Sequence, residues 1–238
     1  MEIIWYGQGC VRLRGKEGAV AVDPFPSLVG PTGRGLTADV VAFTHPDPHP
    51  PARRHERRAP RGGHGPGDHA PTVAGDDFPV PTSLDASFRL TGPGEYEVHD
   101  ILVTGIRTAR DDAHGELRGL NTSYVFQLDE LHVMHLGDLG HLLSEEQLRE
   151  IATVDVVCVP IGGSLPAARS AEVVAQLDAN LVVPLPVGES NEAAEAAMAR
   201  FLHEMGVTSL TPQGKLTVTS SSIPQELTVV LLESRNRG

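Results

Sequence analysis

The sequence predicts an α/β (α+β) protein built as two mixed sheets packed face to face, with helices on the outside. Three observations carry this. The first half of the 238-residue chain is a series of short apolar or alternating runs broken by Gly and Pro. The second half alternates buried-type strands with amphipathic helical segments. Two apolar runs, 122–128 and 131–136, flank Asp129-Glu130 as a hairpin would. Sheets that each own an apolar face must bury it against another layer.

Taken in order, residues 2–7 read as a first strand. Val11-Arg12-Leu13-Arg14 alternates apolar and basic, as a strand with one wet face does. A third strand, 18–23, closes at Asp23-Pro24, because Pro has no N–H for a ladder. Residues 24–36 are rich in Gly and Pro and read as loop. The almost wholly apolar run 39–44 predicts a strand covered on both faces. Order resumes near Phe88, and Gly92-Pro93-Gly94-Glu95-Tyr96-Glu97-Val98 reads as a turn followed by a strand. Another strand is expected over 101–106, then polar loop over 108–119. Ser144-Glu145-Glu146-Gln147 is a capping-box pattern opening a short helix. A buried strand over 154–161 ends in Gly162-Gly163. It is followed by a helix over 167–177, a strand over 181–185 and a helix over 191–205. That last helix gathers Ala194, Met198, Phe201, Leu202 and Met205 on one face, and Gly206 stops it. Strands over 216–219 and 227–232 complete the chain.

Residues 46–81 break this pattern. They are crowded with Pro, Arg, Gly and His and carry neither helical nor strand periodicity. Three readings stand side by side: a basic loop or lid, a disordered insertion within a single domain spanning 1–238, or a local reading-frame shift. His55, His64 and His69 are spaced too widely for a compact metal cluster. Arg53, Arg54, Arg57 and Arg58 form a basic run in a chain of formal charge -12. That acidic balance argues against nucleic acid as partner.

Hydrophobic residues make up 40% of the chain, enough for a real core. Two cysteines, Cys10 and Cys158, exclude a disulfide scaffold, read as core residues and suit a reducing cytoplasm. The first residues lack the basic and apolar regions of a signal peptide, and no apolar run has the length of a membrane span. The expectation is a cytoplasmic protein with a small-molecule substrate or ligand, a homo-oligomer at most, and no membrane partner.

Two strand ends carry the chemistry. His45 follows the apolar run 39–44 and opens Thr44-His45-Pro46-Asp47-Pro48-His49. Asp138 follows the hairpin in Leu136-Gly137-Asp138-Leu139-Gly140-His141. Imidazole and carboxylate held at strand ends on Gly-flanked turns are a common way to build a hydrolytic metal centre.

Together with Asp23-Pro24, the Gly92–Val98 block, Asn121-Thr122, His135 to His141 and the tail from Lys215, these motifs resemble the metallo-β-lactamase superfamily. Within it they are most similar to the UlaG-like metal-dependent hydrolases. The resemblance covers nearly the full length and implies an αββα four-layer sandwich with a metal site at one edge, between the sheets. That family's signature loop is Thr-His-x-His-x-Asp-His. Here Asp47 stands where the second His belongs, His49 where the Asp belongs, and Pro50 where the last His belongs. Gln8, Arg110 and Pro186 occupy further positions where the family carries His, while Asp138 keeps the bridging carboxylate. Pro offers a metal no donor and Arg repels one.

The resemblance thus implies metal ligands from His45, Asp47, His49 and Asp138. Asp47, His49 and His141 are the catalytic candidates. The cofactor is Zn (or Mn or Fe), or none. Two functions follow: a metal-dependent hydrolase of esters, lactones or phosphodiesters with an impaired or single-ion site, or a non-catalytic binding or regulatory module. Arg110, replacing a metal charge, would bind an anion.

Overall fold

The computed structural model describes residues 1–48, 78–187 and 190–235. The first sheet has six strands in the order β12-β1-β2-β3-β4-β5. They are β1 (Glu2–Gly7), β2 (Cys10–Arg14), β3 (Ala19–Val22), β4 (Val40–Ala42), β5 (Phe88–Leu90) and β12 (Leu216–Thr217). The second has seven, in the order β13-β11-β10-β9-β8-β7-β6. These are β6 (Gly94–Val98), β7 (Ile101–Ala109), β8 (Leu120–Leu128), β9 (Leu131–His135), β10 (Val156–Ile161), β11 (Leu181–Pro186) and β13 (Thr228–Val229). Both sheets are mixed: β1, β2 and β3 run antiparallel, β3, β4 and β5 parallel. β6 to β9 form an antiparallel meander, and β9, β10, β11 and β13 run parallel.

The expected layers are present. Trp5, Leu13, Val22 and Val40 of the first sheet meet Tyr124, Phe126, Val156 and Leu185 of the second in one apolar core. The outer face of the second sheet is covered by α3 (Ala167–Leu177) and α4 (Asn191–Glu204), through Val173, Val174, Leu177 and Phe201. Over the first sheet the cover is thinner: Phe25, Val29, Leu36 and Leu84 pack on Ala21, Val41 and Phe43.

Local signals explain most of these elements. Asp129 and Glu130 both adopt left-handed φ, 50° and 64°, the twist a two-residue hairpin turn requires. In α2 (Glu145–Glu150) the capping box is complete, with Ser144 Oγ accepting from Gln147 N–H and the Gln147 side chain accepting from Ser144 N–H. Gly206 ends α4 at φ 70°. Cys10 and Cys158 are buried free thiols, and desolvation pushes Cys158 up to about 12.

Several expectations are corrected. The stretch expected as loop contains α1 (Pro26–Val29) and a single 3-10 turn at Gly33–Gly35. Pro26 pre-sets φ at the first helical position, and burial of Phe25 and Val29 fixes a turn too short to show periodicity. β7 extends to Ala109, three residues beyond the expected end, because its pairing with β8 continues to Ala109↔Leu120. The two tail strands are shorter than expected. A 3-10 turn at Thr82–Leu84 follows directly on the region 46–81 read as irregular, of which residues 49–77 fall outside the described chain.

Candidate functional site

The two sheets are tied together where the site lies. Thr122 N–H donates to Thr44 O at 2.7 Å, and Tyr124 Oη–H donates to Phe43 O at 3.2 Å, so β8 is fastened to the end of β4. Asp23, at left-handed φ 47° just after β3, accepts from Thr44 N–H at 2.8 Å and from Thr44 Oγ1–H at 2.6 Å. That second bond fixes a tautomer. Thr44 has one hydroxyl proton and gives it to Asp23, so at 2.7 Å its oxygen accepts from His45 Nδ1–H. The neutral His45 ring then keeps its lone pair on Nε2. Phe25 meets the same ring edge-on, with centroids 5.6 Å apart.

Asp138 is placed by Asn121. Asn121 Oδ1 accepts from Asp138 N–H at 2.9 Å, while its amide donates to Leu136 O at 2.9 Å and Thr108 Oγ1 at 2.7 Å. Both Asp138 carboxylate oxygens are engaged. Ser164 N–H donates to Oδ1 at 3.1 Å, and Arg110 Nε–H donates to Oδ2 at 2.7 Å. A Cβ on Gly163 would lie 2.8 Å from Asp138 Oδ1, so the Gly162-Gly163 turn is what allows that approach.

His45 and Asp138 therefore line one cleft of about 720 Å³, together with Arg110 and Arg118. Asp47 lines the adjoining cleft, buried, with Ser27 Oγ–H donating to its carboxylate at 3.1 Å. His49 lies outside the described residues, as do the histidine and arginine runs 53–69. His141 is placed elsewhere. It lines a neighbouring cleft with Asp111 and Glu146, not the one holding Asp138. Its Nε2 accepts from Ala109 N–H at 3.0 Å and its Nδ1–H donates to Leu142 O at 2.7 Å, so both ring nitrogens serve backbone groups.

Among the described residues, the carboxylate at Asp138 is already shared with a cation. Ligand atoms would stand about 2 Å from an ion. A guanidinium already sits 2.7 Å from the Asp138 oxygen that would bind it, and two cations that close repel strongly. Among the described residues no three His, Cys, Asp or Glu side chains converge on one point.

Sequence reasoning did not single out Asp111 or Arg118. Asp111 accepts four backbone N–H groups, from Ala113, Gly115, Leu117 and Arg118, at 2.6 to 3.1 Å. Desolvation alone would raise its pKa, but these donors together outweigh it and hold the carboxyl below the usual range. The knot fixes the 111–118 loop and so presents Arg118 to the cleft. The signal was an Asp followed by Gly115 and Gly119, both at positive φ.

His135 is a second tie between the sheets. Its Nδ1 accepts from Gly137 N–H at 3.0 Å, so Nε2–H donates to Gly9 O at 2.9 Å. Desolvation pushes its pKa below the ordinary 6.5 despite the opposing pull of Asp23. A buried neutral imidazole favours the fold at high pH. Its contribution is lost as pH falls from 6.5 toward the lower folded value, because the unfolded chain takes up the proton first. Thermal melts across that window will therefore show stability falling with pH, and His135→Gln will flatten the slope. An unchanged slope in the variant would assign the effect to other groups.

The αββα sandwich, with an imidazole and a carboxylate delivered from strand ends into one edge cleft, defines the class: a metallo-β-lactamase-fold protein. The chain belongs to that family, matching the beta-lactamase superfamily domain over residues 2–186. It is 27% identical over 179 residues to a UPF0173 metal-dependent hydrolase of Methanospirillum hungatei, covering 68% of this chain and 71% of that one. Among solved structures it is similar to a metallo-beta-lactamase superfamily protein of Thermotoga maritima (TM-score 0.65, 24% identity, 97% of each chain). It is also similar to the isothiocyanate hydrolase from Delia radicum gut bacteria (TM-score 0.60, 13% identity, 92% of this chain and all of that one). At these identities the structural likeness speaks for the fold alone.

Proposed function

We propose that this chain keeps the family fold with an impaired metal centre and works as a small-molecule binding or regulatory module. The observation that carries this reading is the Arg110–Asp138 ion pair at 2.7 Å. Asp138 is the carboxylate a metal would need, and an organic cation neutralises it in place. The pair is partly exposed on both sides, 21% and 16%, so it contributes modestly to stability. Its consequence is chemical: an electrostatic slot is filled by a group that polarises no water. The cleft around it remains of ligand-binding size.

A second reading, a single-ion hydrolase, is favoured by one observation. The Thr44 relay leaves His45 Nε2 as the bare nitrogen, the form in which an imidazole ligates a metal. Zn, Mn or Fe bound there would supply hydroxide near neutral pH.

Metal analysis of protein purified without added metal separates the two. The binding-module reading expects far less than one transition-metal ion per chain, unchanged in Asp138→Ala. Near-stoichiometric metal that disappears in Asp138→Ala would establish the hydrolase.

A further inference from the structure

We propose that the cleft takes a small molecule with an oxyanion head, phosphate or carboxylate, and an apolar body. The head bridges Arg110 and Arg118, and the body lies against Pro46, Phe78, Pro93 and Leu120. This deepens the binding-module reading and rests on it.

The geometry points there in three ways. First, two clefts meet at His45, Pro48, Arg110 and Arg118, which line both. The two arginines thus line the waist that the two clefts share. Second, the imbalance at that waist is one of donors. The carboxylates along the groove already have acceptor oxygens engaged: Asp23 by Thr44, Asp47 by Ser27, and Asp138 by Ser164 and Arg110. Arg118, by contrast, carries five N–H donors and has no side-chain acceptor or ion-pair partner among the described residues. The ligand that completes this set must bring acceptors and negative charge, and a planar guanidinium fork matches carboxylate or phosphate oxygens in pairs.

Third, Arg118 is exposed but its backbone is held in place. Its N–H donates to Asp111 at 2.6 Å, its carbonyl accepts from Arg110 Nη1–H at 3.3 Å, and the next carbonyl, Gly119 O, accepts from Arg110 N–H at 3.1 Å. The backbone that carries Arg118 is therefore fixed relative to Arg110 before any ligand arrives, which lowers part of the ordering cost of binding. The half of the groove beyond them is about 470 Å³, and Pro46, Pro48, Phe78, Pro93 and Leu120 form its apolar walls. Leu120 is 52% exposed there, an apolar surface that a ligand body would cover.

Calorimetric titration of the full chain in EDTA-containing buffer tests this, with phenyl phosphate, benzoate and inorganic phosphate as ligands. Phenyl phosphate or benzoate is expected to bind saturably and about tenfold more tightly than inorganic phosphate, because the ring buries apolar area. The tighter of the two aromatic ligands identifies the head group. Arg118→Gln should weaken every ligand by about tenfold or more, through loss of charge-assisted hydrogen bonds. Leu120→Ser should weaken the aromatic ligands and leave inorganic phosphate unchanged. Absence of saturable binding, or wild-type affinity in Arg118→Gln, overturns the inference while a metal-free protein keeps the broader reading intact. Binding that appears only with added Zn and vanishes with EDTA overturns both.

Discussion

Asn121→Ala will lower the unfolding free energy by about 1–3 kcal/mol, the range expected when a buried polar group is removed from its partners. Asn121 is 2% exposed and satisfies three groups from three places: Thr108 Oγ1 on β7, Leu136 O after β9, and Asp138 N–H. Alanine fills none of these roles and leaves a void at the sheet edge. Ser123 Oγ still donates to Leu136 O at 3.0 Å, so the carbonyl keeps one partner, while Asp138 N–H loses its own. The variant therefore loosens the turn that aims Asp138 and slackens its ion pair with Arg110. Urea unfolding of wild type and variant measures the difference, with exposed Glu146→Ala as a near-neutral control. A loss below about 1 kcal/mol would mean that water replaces the amide, and that the turn holds itself.

Gly140→Ala is the second large effect, with an expected loss of about 1–3 kcal/mol from overpacking. A Cβ there would run into the carbonyl group of Arg110 and the nitrogen of Asp111. Gly140 N–H also donates to Ala109 O at 2.9 Å, so the two backbones are already in contact. The obstacle is backbone, which cannot swing aside as a side-chain tip can. Relief has to come from moving residues 109–111, and that carries Arg110 away from Asp138. Gly214 is the comparison: nothing lies within 4 Å of its Cβ position, so Gly214→Ala should be neutral or slightly stabilising. Equal melting temperatures for the two variants would show that the 140 turn yields more easily than its packing implies.

The fold was legible wherever the signal was local. Ser144 and Gln147 announce α2 within four residues, and the Asp129-Glu130 turn announces a hairpin because few residue pairs accept that twist. α1 was hidden because one turn of helix opened by Pro26 leaves no periodic trace. The site was half legible. His45 and Asp138 each end an apolar run, and strand ends of packed sheets converge at an edge, so their sharing a cleft follows from the pattern. What the pattern does not hold is direction. His141 follows Asp138 by only three residues, yet Ala109 N–H and Leu142 O capture its ring beside a neighbouring cleft. Arg118 is likewise invisible locally, since its position depends on Asp111 gathering N–H groups from four later residues.

On the binding-module reading, Arg110 holds the position on Asp138 that a metal ion would need. A calorimetric Zn titration of chelator-stripped protein, run beside Asp138→Asn, decides whether it does. Wild type is expected to show no saturable one-to-one uptake, and Asp138→Asn to give the same trace. Stoichiometric, tight Zn binding by wild type that is lost in Asp138→Asn would contradict it, because the ion would then have displaced the guanidinium.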